Sequence, residues 1–108
     1  MKIPFNVNLS GKTAIVTGGS GTLCSAMAYG LAVSGAKVAL IGRNKEKMAK
    51  VVSELTDNAL KEHNATVTIN GYCCNVTDKE ELTKIYEAIK ADLGSCDILI
   101  NGAGGNQP

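Results

Sequence analysis

Short apolar runs alternate with longer stretches of helical period along this chain, a pattern that predicts repeated strand–helix–strand units. Thr13 to Thr17 (T-A-I-V-T) reads as a first strand. Glycines follow, and Leu23 to Ser34 then reads as a helix that Gly35 is placed to end. Lys37 to Ile41 forms the second strand. From Asn44 to about Asn64, Met48, Val51, Leu55 and Leu60 recur near helical spacing with Lys and Glu between them, which predicts an amphipathic helix. Thr66 to Tyr72 is a third strand, where Thr and Asn alternate with Val67 and Ile69 as suits a sheet edge. Thr77-Asp78-Lys79-Glu80 has the form of a capping box, and Leu82, Ile85, Tyr86, Ile89 and Leu93 then make one helical stripe ending at Gly94. Cys96 to Ile100 (C-D-I-L-I) reads as a fourth strand, after which Asn101-Gly102-Ala103-Gly104-Gly105 breaks regular structure.

Right-handed crossovers between these units place the second strand beside the first, the third outside it, and the fourth on the first strand's other side. The expected fold is α/β: a partial Rossmann-type parallel sheet of order 3-2-1-4 with helices on both faces. The chain reverses direction across the sheet between the first and fourth strands, so a crevice is expected at their carboxyl ends. Both glycine-rich segments belong there.

Composition narrows the partners. With 108 residues the chain holds one domain at most. Hydrophobic residues make up 44% but aromatics only 4%, so the core must be Val, Ile, Leu and Ala, the usual filling of a buried parallel sheet. A formal net charge of +1 gives no broad attraction to nucleic acid or an anionic membrane, and no apolar run approaches a membrane span. Residues 1–6 lack the apolar centre of a signal peptide, so a cytoplasmic protein with a small-molecule ligand is expected. The triplets beginning at Asn8, Asn64 and Asn75 match a glycosylation pattern only by chance if the chain is not secreted. Cys24, Cys73, Cys74 and Cys96 form no C-x-x-C pair, neighbours on a strand point to opposite faces, and buried free thiols are the expectation.

Gly19-Ser20-Gly21-Thr22-Leu23-Cys24 fits G-x-G-x-x-G except at Cys24, and it lies between a strand and a helix. In that context glycines permit a tight turn and close backbone approach, while free N–H groups and the positive helix end can hold a diphosphate. Cys24 is expected to face the helix–strand contact. About 20 residues after such a loop an acidic side chain normally grips the ribose hydroxyls of NAD. Gly42 and Arg43 stand there instead. Four basic residues (Arg43, Lys45, Lys47 and Lys50) against one acidic (Glu46) give that segment a net +3. A guanidinium can bind a 2′-phosphate by a forked, charge-assisted pair, so NADP(H) is expected to be preferred, with NAD(H) also accepted. Asn75 and Val76 follow the third strand, where an amide oxygen and a backbone N–H could meet an adenine edge; a turn-forming Asn explains Asn75 equally well. Tyr86 and Lys90 have the Y-x-x-x-K spacing of hydride-transfer enzymes, but Tyr86 belongs to the apolar stripe and is expected to pack against the sheet. His63 is expected to be a solvated or capping residue near a helix end.

With the glycine loop, Asn75-Val76 and Asn101-Gly102-Ala103-Gly104 together, the chain resembles the N-terminal part of the short-chain dehydrogenases/reductases along essentially its whole length, residues 1–108. T-G-G-S-G-T-L-C departs from that family's T-G-x-x-x-G-x-G at Thr22 and Cys24, and its spacing also fits the T-G-x-x-G-x-x of extended-branch sugar-nucleotide epimerases. I-L-I-N-G-A-G is similar to the N-N-A-G motif of the oxidoreductase branch, with Gly102 in place of the second asparagine. The resemblance implies that Gly18, Ser20, Gly21, Thr22 and Leu23 contact the cofactor, that Asn101 ties neighbouring strands together, and that Asn101, Gly102 and Ala103 line its adenosine-ribose side. A narrower likeness, in L-C-S-A-M-A and N-G-A-G-G-N, is to mannonate oxidoreductases (fructuronate reductases) and gluconate 5-dehydrogenase-like members. It implies reversible reduction of a keto-sugar acid, or a related polyol reaction, in a homo-oligomeric parent. The family's catalytic Ser, Tyr and Lys fall on later segments, so this chain alone is not expected to turn over substrate. A non-catalytic dinucleotide sensor of the same fold and an extended-branch epimerase are the alternatives.

Overall fold

A computed structural model describes residues 8–18, 22–75 and 77–101, with the backbone alone at Thr22 and Leu23. Its elements run β1 (Thr13–Thr17), α1 (Thr22–Val33), β2 (Lys37–Gly42), α2 (Lys45–His63), β3 (Thr68–Cys73), α3 (Lys79–Leu93) and β4 (Ile98–Asn101). All strand pairs are parallel, and the sheet order is β3-β2-β1-β4. The expected order and fold class are therefore observed.

Successive residues of β1 and β2 point into two different cores. Ala14, Val16, Val38 and Leu40 join Ala28, Ala32 and Met48 on the face covered by α1 and α2. Ile15, Ala39 and Ile41 join Cys74, Ile89 and Leu93 on the α3 face. Both faces of these strands are buried, which is why their sequences are continuous apolar runs with no polar alternation. Edge strand β3 does alternate, with Ile69 buried and Thr68 exposed.

The ends of the helices show where local chemistry overrides a sequence motif. After α1, Gly35 N–H bonds to Ala32 O and Ala36 N–H to Leu31 O, closing the helix with a left-handed glycine at φ 109°. A Cβ on Gly35 would also stand 2.9 Å from Ser10 Oγ, in the turn that leads into β1. Asn44 caps α2 by accepting from Lys47 N–H, and Asn64 ends it in the left-handed conformation. For α3 the capping residue is Asp78, not the expected Thr77: Asp78 Oδ1 accepts from Glu80 and Glu81 N–H. A carboxylate is the stronger acceptor at a positive helix end, and Thr77 Oγ1 is committed to Asn75 Oδ1 at 2.7 Å.

Three further expectations need correction. Leu60 is 56% exposed, because the stripe that runs through Leu55 reaches the sheet next at Ala59, four residues on. Pairing of β3 begins at Thr68 opposite Lys37, two residues after the expected start, since Ala65 is still bonded back to Ala59 of α2. Of the four thiols, only Cys74 is buried; Cys24 is half-buried, and Cys73 and Cys96 are exposed, each in a 3.2 Å contact with a backbone carbonyl. Cys73 ends edge strand β3 in the open groove beside Lys45 and Met48, and Cys96 precedes edge strand β4, so both stand at the margins of the sheet. Cys73 and Cys74 do face opposite sides of the sheet, as strand geometry requires, and burial pushes the Cys74 thiol pKa up.

Candidate functional site

The candidate site is the row of strand carboxyl ends. Across the sheet they present Cys73 and Asn75 after β3, Gly42 and Arg43 after β2, Thr17 and Gly18 after β1, and Asn101 at the end of β4. Backbone bonds hold this rim level: Gly18 N–H donates to Ile41 O at 2.8 Å, and Cys74 N–H to Gly42 O at 2.9 Å. Gly18 has φ 74°, a conformation that lets the chain leave β1 sharply toward the start of α1. No acidic residue occupies the first turn of α1, so the positive end of that helix is not neutralised from within.

Thr17 and Asn101 make the link between β1 and β4 at the point where the strand order reverses. They are register partners, and the buried Thr17 hydroxyl donates to Asn101 Oδ1 at 2.9 Å. Asn101 thus ties β4 to β1 through its side chain, and the same hydroxyl lies 3.4 Å from the Ile100 carbonyl. Thr17 was missed as the partner of Asn101. The signal for it was a hydroxyl at the last position of a fully buried strand, where only a satisfied polar group is tolerated.

Asn75 turns inward to its own loop. Its Oδ1 accepts from both Thr77 N–H (3.1 Å) and Thr77 Oγ1, while its N–H donates to Glu81 Oε1 at 3.1 Å. The turn-forming reading of Asn75 is the one this geometry displays. Arg43 is exposed at the rim, beside the capped start of α2 and its lysines 45 and 47, and its carbonyl is in contact with Cys73 Sγ. Ser20, Gly21, Val76, Gly102 and Ala103 lie outside the described residues, and Thr22 and Leu23 form the first turn of α1.

The two remaining sequence signals lie away from this rim. Tyr86 packs with Leu82 and Ile85 against the α3-side core, as its stripe required. With Lys90 it lines an open groove that also contains Ile15, Ile89 and Leu99. His63 is exposed, and its ring sits 5.9 Å from that of Tyr29 at the far end of α2, a contact its sequence neighbours did not indicate. Tyr29 itself is 4% exposed and donates to Glu62 Oε1 at 2.5 Å. Burial and that carboxylate push its pKa up to about 12, and the same bond holds Glu62 below the usual carboxylate range.

Among the described residues no group of three or more His, Cys, Asp or Glu could hold a metal ion, and no helix is long and apolar enough to cross a membrane. A parallel sheet of order 3-2-1-4 with helices on both faces and a left-handed glycine, Gly18, at its carboxyl rim defines the class as a Rossmann-type α/β protein. Within that class the chain belongs to the short chain dehydrogenase family, whose model matches residues 12–108.

Relatives and solved structures agree. An uncharacterized oxidoreductase of Bacillus subtilis, UxuB, is 47% identical over 106 residues, which is 98% of this chain and 36% of that protein. The structure of a candidate D-mannonate oxidoreductase from Haemophilus influenzae with bound NAD is 40% identical, with a TM-score of 0.80 over 95% of this chain and 34% of the other. L-sorbose reductase of Gluconobacter frateurii, complexed with NADPH and L-sorbose, is 27% identical, with a TM-score of 0.77 over 93% of this chain and 36% of the other. The chain spans about a third of the length of the proteins it matches.

Proposed function

We propose that this chain is the dinucleotide-binding part, within one Rossmann domain, of an oxidoreductase that reduces a keto-sugar acid or oxidises the corresponding hydroxy acid. The observation that carries the reading is the carboxyl rim itself, where an unneutralised α1 terminus, the left-handed Gly18, the exposed Arg43 and the Thr17–Asn101 tie converge. The residues fit a dinucleotide. Gly18, Ser20, Gly21, Thr22 and Leu23 would bring backbone N–H groups to the diphosphate at the helix end. Arg43 would pair with a 2′-phosphate, so NADP(H) is preferred and NAD(H) accepted. Val76 would offer its N–H to the adenine edge, with Asn75 shaping the turn that presents it. Asn101, Gly102 and Ala103 would line the adenosine-ribose side, Asn101 being held in place by Thr17.

When bound, the nicotinamide supplies a hydride donor and acceptor at C4 for the substrate carbonyl. This chain's residues bind and orient it; the general acid that protonates the carbonyl oxygen comes from the remainder of a full-length parent. A cytoplasmic, homo-oligomeric parent completes the reading. The sugar-acid class is supported by the likeness to the candidate D-mannonate oxidoreductase, and the related polyol reaction by that to a reductase complexed with L-sorbose, a neutral keto-sugar. The test is turnover: the full-length parent should oxidise NADPH when given D-fructuronate. If it bound the cofactor yet reduced no keto-sugar acid at any pH, the enzyme reading would give way to a dinucleotide sensor of the same fold.

A further inference from the structure

Gly42 ends β2 at the rim, yet it is buried, and what buries it is Met48. A Cβ at Gly42 would lie 2.5 Å from Met48 Sδ, 3.2 Å from Cγ and 3.6 Å from Cε. One strand over, a Cβ at Gly71 would lie 3.3 Å from Val52 Cγ2 and 3.5 Å from Met48 Cβ. Gly71 pairs with Leu40 and Gly42 with Cys73, so the two glycines lie on the same face of neighbouring strands. The Met48 side chain, only 3% exposed, lies across both and belongs to the core under α1 and α2. The space in which a side chain at the end of β2 would begin is therefore already filled from α2.

We propose that Gly42 and Met48 form a coupled specificity pair: Gly42 leaves the rim open to the 2′-phosphate that Arg43 would bind, and a carboxylate at position 42 could take its place only if the Met48 thioether moved aside. This rests on the cofactor reading above and deepens it. A carboxylate at position 42 would do two things at once: accept the hydroxyls of an unphosphorylated ribose and repel a phosphate in the same place. Deleting a side chain at 42 opens the site to the phosphate only if nothing else blocks it, and inserting one succeeds only if Met48 yields. A methionine can rearrange, but the way out is the open groove of about 400 Å³ bounded by Lys45, Val52, Gly71 and Cys73, where the thioether would lose its burial. Position 42 and position 48 thus act as a pair: glycine with methionine on one side, an acid with a small residue on the other.

The experiment is a cycle of four proteins, wild type, G42D, M48A and G42D/M48A, each titrated with NADP(H) and with NAD(H) and each melted. G42D alone should lower the melting temperature and weaken both cofactors while shifting their ratio little. M48A alone should keep the NADP(H) preference, since Arg43 is untouched. The double variant should move the ratio toward NAD(H) by at least about tenfold, the worth of one hydrogen bond to a charged group. G42A supplies the same information should G42D fail to fold: its methyl should lower the melting temperature in the Met48 protein and much less in the M48A protein. The inference is overturned if G42D by itself switches preference as fully as the double variant, or if G42A is as costly without Met48 as with it. If the wild-type chain binds neither cofactor, the cofactor reading falls and this inference with it; if it binds NAD(H) more tightly, only the 2′-phosphate assignment fails and the coupling of 42 to 48 is still read from the melting cycle.

Discussion

The two faces of the sheet are unequally covered. On one, α1 and α2 lie side by side and bury Val16, Val38 and Leu40 completely. On the other, α3 covers Ile15 and Ile41 with Ile89 and Leu93, but Leu99 on β4 stays 56% exposed beside the open groove that Tyr86 and Lys90 help to line. The difference teaches where the described fold has finished its work. The closed face holds α1 and α2 against the strands and so fixes the rim from which Arg43 and the α1 terminus project. The half-open face ends at β4, an edge strand among the described residues, where Leu99 leaves apolar surface exposed.

That contrast can be broken by substitution. Leu40→Ala on the closed face should cost about 2–5 kcal/mol, a full cavity where the surroundings cannot collapse, and Leu99→Ala on the open face within about 0.5 kcal/mol; chemical denaturation of both variants reads the gap. Equal costs would mean that Leu99 is covered in solution. Next in size is the α3 cap. Asp78→Ala should cost about 1 kcal/mol and Thr77→Ala less, reversing the order that the capping-box pattern suggests.

The α1–α2 contact on the closed face carries a pH signature. The Tyr29 hydroxyl is neutral in the folded chain up to about pH 12, whereas an unfolded tyrosine ionises near 10.0. Folding holds that proton more tightly, so this contribution is fully present below pH 10.0 and is lost as pH rises toward 12. Thermal melts across that interval should show a steeper alkaline decline in the wild type than in Tyr29→Phe. The smallest expected effect belongs to Tyr86→Phe, which should leave cofactor affinity unchanged because that ring packs with Leu82 and Ile85 away from the rim.

Much of this fold was legible in the sequence because buried parallel strands write themselves as unbroken apolar runs and helices as spaced stripes. Thr13–Thr17, the helix spanning from Asn44 to about Asn64, and the order β3-β2-β1-β4 all followed from that. What escaped was set by direction in space. Leu60 and Ala59 are neighbours in sequence, but only one faces the sheet. Thr77 and Asp78 can each cap a helix, and the choice depended on Asn75 engaging the threonine. At the site, Gly42 and Arg43 announced the absence of a carboxylate, but that Met48 fills its place depends on α2 lying over two glycines of neighbouring strands. Cys73 and Cys96 are exposed because they stand at the margins of the sheet, a position that the spacing of cysteines along the chain does not reveal.

The most direct test of the central claim is equilibrium titration of this chain, or of its full-length parent, with NADP(H) and NAD(H) side by side. Saturable binding of both, tighter for NADP(H), and loss of that margin in Arg43→Ala is the expected result. Tighter binding of NAD(H) by the wild type, or a margin that survives removal of the Arg43 guanidinium, would contradict it.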